Sequence, residues 1–153
     1  MKIKTIQAVN AYNILKDFKV SNLNEDSIIS LWSDLKLFRP ITEEYNKTVE
    51  DTKKTLQDDK YNEMLQRVKV AQDRENKVKT EGYVITEGDI EDTKEINDYF
   101  AEFNKKGNEY FKSLEDAEID LDIKTISNEE LIKVMKETNN GFETMLKLDF
   151  ITE

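Results

Sequence analysis

Glu115, Asp116, Glu118, Asp120 and Asp122 crowd eight consecutive positions, and carboxylates so placed have three uses: holding a cation, acid–base chemistry, or a solvated face. The chain carries 33 acidic residues, so closeness in sequence alone selects none of these. A calcium loop starting at Asp116 needs glycine at its sixth position and glutamate at its twelfth, where Leu121 and Ser127 stand. That template fails. With no histidine and no cysteine, general acid–base work falls to carboxylates, lysines and tyrosines, and no serine or threonine has an imidazole to activate it. The four glycines are too scattered to cradle a phosphate. The expectation is a protein that is not an enzyme, with no catalytic residue, no metal and no cofactor.

The acids alternate with Ile119, Leu121 and Ile123, which makes Asp116, Glu118, Asp120 and Asp122 the outer face of a half-buried strand. A strand needs a neighbour for its backbone groups. The candidates are Phe18–Val20, Tyr83–Thr86, Leu148–Ile151 or a strand of another subunit. Trp32, on a helical face from Ile28 to Phe38, reads first as core and second as a partner-facing anchor. Trp32, Ile119, Leu121, Ile123 and the four strand acids are therefore the candidate partner-binding residues. Tyr99, Phe100, Phe103, Tyr110 and Phe111 read as core before they read as a cofactor box.

Charge is laid out unevenly. Residues 81–122 hold 14 acids against 4 bases, a net −10 that equals the net charge of the whole chain. Such a field repels phosphates and argues against direct nucleic-acid binding, while leaving open a basic partner or mimicry of a nucleic acid. No window approaches 18 apolar residues, and Gln7 and Asn10 would interrupt a leader core, so a soluble protein that keeps its N-terminus is expected, with no membrane contact. Charged and hydrophobic residues each make up 37%, a lean core that suits an elongated helical molecule.

The positioning elements follow from periodicity. Apolar residues from Ile3 to Phe18 predict a first helix. Asn24 is a plausible N-cap for a long helix carrying Ile28, Leu31, Trp32, Leu35, Phe38, Tyr45, Val49 and Leu56, with a kink or short break expected near Leu37–Arg39 before Pro40. A softening at Asp58-Asp59 precedes Tyr61, Met64, Leu65 and Val68. Gly82 and Gly88 bracket a β-prone run, Tyr83–Thr86. The stripe from Ile96 to Leu114 predicts the helix at the centre of the core. Ser127-Asn128-Glu129-Glu130 is a capping box for a short helix ending near Asn139-Asn140-Gly141, and the apolar tail from Phe142 to Ile151 is expected to dock. The expected fold is mostly α (α+β): an elongated bundle with a long kinked helix or helical hairpin and a small C-terminal β element. It forms one domain, 1–153, with residues about 57–92 as a projecting arm and loop.

Two parts of the chain carry a likeness. Ala11-Tyr12-Asn13-Ile14-Leu15, Leu35-Lys36-Leu37-Phe38-Arg39-Pro40 and Glu43-Glu44-Tyr45-Asn46-Lys47 resemble the N-terminal half of a family of short uncharacterised proteins of tailed bacteriophages. The run from Phe111 to Ile123 and Leu146-Lys147-Leu148-Asp149-Phe150-Ile151 are similar to that family's C-terminal half. The resemblance implies a phage origin and a small α+β fold, and brings no site residues with it. The function expected is protein–protein contact as a structural or assembly component of a virion, with other phage proteins or further copies of the chain as partners, in the virion or the host cytoplasm. The alternative is an acidic inhibitor that mimics nucleic acid before a host nucleic-acid-binding or defence enzyme.

Overall fold

A computed structural model of the chain describes residues 1–138 and 141–153. Among them the order is β1 (Lys2–Lys4), α1 (Thr5–Leu15), α2 (Glu25–Leu56), α3 (Asp59–Glu81), α4 (Glu87–Asp116), β2 (Glu118–Asp120), α5 (Asn128–Thr138), α6 (Phe142–Leu148) and a 3-10 turn at Asp149–Ile151. The fold is mostly α with a two-stranded antiparallel sheet, in line with the periodicity. The chain divides into two compact units, Met1–Thr48 with Ser113–Glu153, and Val49–Lys112. The arm expected at about 57–92 falls within the second.

In the first unit the strand's partner is none of the candidates named from sequence. β2 pairs with β1, placing Ile3 opposite Ile119 and Lys4 opposite Glu118, so the N-terminal residues expected to open the first helix are a strand instead. Thr5 makes the switch. Its amide and hydroxyl both donate to the Ala117 carbonyl, at 2.8 and 3.0 Å, closing the ladder where α1 begins. Gln7 then accepts the Lys4 amide at 2.9 Å. The alternation read as nine residues of strand yields a ladder of only three. Beyond it Lys124 donates its amide to Asp34, and Ile126 forms a parallel bridge with Thr152, beside the tail.

α2 starts as expected, with Asn24 Oδ1 accepting the Ser27 amide at 2.8 Å. It is not broken at Pro40. The helix runs on through the proline, which removes a single donor, and the turn beyond it is tied by the Thr42 hydroxyl to the Phe38 carbonyl at 2.9 Å. The real break comes at Asp58, whose carboxylate caps α3 through the Tyr61 amide at 2.8 Å. Ser127 caps α5 by accepting the Glu130 amide at 3.3 Å. Glu130 does not close the box locally; it accepts the Asn24 amide at 2.9 Å and an ion pair from Lys133, joining the start of α5 to the start of α2. The expected stop of α5 at Asn139-Asn140 lies outside the described residues, and Gly141 caps α6.

The main core belongs to the first unit: Ala8, Ala11 and Leu15 of α1, Leu31 and Phe38 of α2, Leu131, Val134 and Met135 of α5, and Leu148 and Ile151 of the tail, all buried. Phe38 and Phe150 meet edge to face, centroids 6.0 Å apart. The aromatic helix α4 is thus not the centre of the core. Of its residues only Ile96 and Gly107 are buried, and its rings serve the second unit, where Tyr61 lies 4.9 Å from Phe103 and 5.9 Å from Phe100.

α3 ends at Gly82 in the left-handed region (φ 69°), a position that favours glycine. Tyr83–Thr86 is not a strand. It is an exposed connection whose last residue caps α4: Asp89 donates its amide to the Thr86 hydroxyl at 3.2 Å and accepts the Thr86 amide at 2.9 Å.

Candidate contact surface

Each acid of the predicted strand face meets a cation of the chain. Lys4 lies 2.7 Å from Asp116, Lys2 4.0 Å from Glu118, the Met1 amino group 3.0 Å from Asp120 and Lys124 2.9 Å from Asp122. Hydrogen bonding to Lys124 holds the Asp122 carboxyl below its usual range, and the bond to Asp116 raises Lys4. Ile119, Leu121 and Ile123 are half-buried against the core of the first unit. The predicted group is thereby divided between a self-neutralised sheet face and the core.

Trp32 stands apart from it. Its helix turns Leu31, Asp34 and Phe38 inward and leaves Trp32 50% and Ile29 60% exposed. Leu15 at the end of α1, Phe18 and Val20 in the connection, and Ile28, Leu31 and Leu35 of α2 form with Trp32 an open apolar groove of about 290 Å³. Lys36 places its ammonium 4.7 Å from the centroid of the Trp32 ring, a cation–π contact at the groove's edge, and Lys16 lines the same groove. Sequence reasoning singled out Trp32 but not Phe18 and Val20, which the chain reversal between α1 and α2 brings beside it. Phe142 and Leu146, 85% and 76% exposed, make a second apolar surface on α6.

A hollow of about 460 Å³ lies between α3 and α4 of the second unit. Arg74 and Asp89 of its lining belong to a network of ion pairs that continues beside it through Asp92, Arg67 and Glu95. Arg74 reaches the Asp89 carboxylate at 3.0 Å, the Asp89 carbonyl at 3.1 Å and Asp92 at 3.0 Å, while Arg67 reaches Asp92 at 2.7 Å and Glu95 at 2.6 Å. Arg67 and Arg74 together hold the Asp92 carboxyl below its usual range. These groups clasp two helices. They leave no nucleophile beside a base.

Asp34 has a strongly raised pKa. It is fully buried, and desolvation pushes its carboxyl up to about 6 against the opposing hydrogen bond from the Lys124 amide at 2.9 Å. Its Oδ2 is buried without a hydrogen-bond partner. Being closed off, it offers a substrate nothing. Among the described residues no group of acids is arranged to hold a metal ion, and no helix is long and apolar enough to cross a membrane. Compared with known protein families, curated proteins and solved structures, the chain matches none, so its surfaces carry the functional reading.

Proposed function

We propose that this protein acts by protein–protein contact and not by catalysis, through the apolar groove around Trp32. The observation that carries the proposal is a half-exposed tryptophan beside an exposed isoleucine at the mouth of an apolar groove in a chain otherwise dense with charge. Tryptophan anchors are the side chains that contribute most when such a surface is covered. The setting we propose for the contact, a structural or assembly component of a virion, rests on the sequence resemblance alone.

The test is a photo-crosslinking side chain at Ile29, with an exposed control at Glu109, in the cell that makes the protein. A discrete adduct from Ile29 and none from Glu109 supports the groove as the working surface. No adduct, or the same products from both positions, overturns it.

A further inference from the structure

Resting on that reading, we infer that the occupant of the groove is a second copy of this chain, its α2 lying antiparallel across the first with the two Trp32 side chains at the dyad. The argument is the order of residues along the exposed stripe. Glu25, Trp32 and Arg39 are spaced by seven, two turns of helix, and so fall on one line of α2; all three are exposed. Ile28 and Ile29 flank Trp32 on one side, Leu35 and Lys36 on the other, again within a turn.

An antiparallel crossing centred on Trp32 sets each residue n places before it against the residue n places after it in the partner. Ile29 then meets Leu35, Ile28 meets the aliphatic stem of Lys36, and Glu25 meets Arg39. The dyad repeats each pairing, as an isologous interface requires. A parallel crossing would set Glu25 on Glu25 and Arg39 on Arg39 instead. Arg39 is committed only to an exposed pair with Glu43 at 2.8 Å, of the kind that contributes little and exchanges readily. The stripe is about 21 Å long, short for a standard interface, so association in the micromolar range is expected.

The experiment is sedimentation equilibrium of the full chain from low to high micromolar, with emission of its single tryptophan followed over the same range. The expected result is a shift from 18.0 kDa to twice that mass, with a blue shift as Trp32 leaves water. Trp32→Ala weakens association about a hundredfold, as loss of a central anchor does. Glu25→Lys and Arg39→Glu each weaken self-association about tenfold, by setting like charges together twice per dimer.

Mixing those two variants restores it, because the mixed dimer regains both opposite-charge pairs. That rescue also shows each variant to be folded. A chain that stays at 18.0 kDa throughout, or variants that fail to rescue each other, overturns the inference. The two proposals fail separately: an Ile29 adduct to a different protein, with a monomeric chain, leaves the groove as the working surface and removes only the second copy.

Discussion

At the scale of the residue, Asp34 is the group whose behaviour pH reports. The folded chain holds its proton more tightly than the unfolded chain does, with a value of about 6 against the ordinary 3.8. Its contribution to folding stability is therefore full below about pH 4, is lost as pH rises through the interval up to about 6, and is absent above it. A rise of that size corresponds to about 3 kcal/mol. Asp34→Asn keeps an acceptor for the Lys124 amide and removes the charge, so the variant is expected to be more stable than the parent above about pH 6 and flat where the parent slopes. Urea unfolding at a series of pH values measures it, and equal slopes for the two proteins would exclude this role. Phe38, fully buried on the same helix, gives a simpler expectation: Phe38→Ala costs about 3–5 kcal/mol in the same assay.

At the scale of the element, the second unit depends on charge where the first depends on apolar burial. Arg67, Arg74, Asp89 and Asp92 join α3 to α4, and their contribution is present at neutral pH and fades as pH falls through the lowered values of the two aspartates, beneath the ordinary 3.8. Asp92→Asn is expected to lower the melting temperature at low salt, with the difference shrinking in about 1 M salt as the parent's own pairs are screened. A variant that melts with the parent at low salt would show the clasp to be net neutral.

Elements were legible in the sequence wherever the signal is local: the caps at Asn24 and Ser127 and the α4 stripe, whereas the alternation after Glu118 overstated a strand that ends at Asp120. β1 was not, because three residues carry no period and Ile3 fits a helix with Ile6 as well as a strand; its partner lies more than a hundred residues away. Of the kink or short break expected before Pro40, the break is absent: α2 runs on through the proline, with the Thr42 hydroxyl bonded to the Phe38 carbonyl in the next turn. Trp32, read first as core, is instead half exposed, because α2 turns Leu31 and Phe38 inward, and its groove was not legible, since Phe18 and Val20 reach it only through the fold.

At the scale of the whole molecule, the two units differ in how much they bury. The first closes over a cluster that includes Phe38, Leu131, Leu148 and Ile151, whereas among the described residues of the second the buried apolar side chains are Met64 and Ile96. Amide exchange is therefore expected to be slower in α1, α5 and residues 25–48 than in α3 and residues 87–112, and equal protection across the chain would contradict the contrast. The connection at Gly82–Thr86 has a practical consequence. Nothing lies within 4 Å of a β-carbon built on Gly82, and Val84 is 79% exposed. A protease cut between Val84 and Ile85 severs the backbone while leaving the Arg67 and Arg74 pairs across it. The nicked protein should stay together as one particle until denatured, which makes this site a natural place to split the molecule into two halves that report on each other's presence.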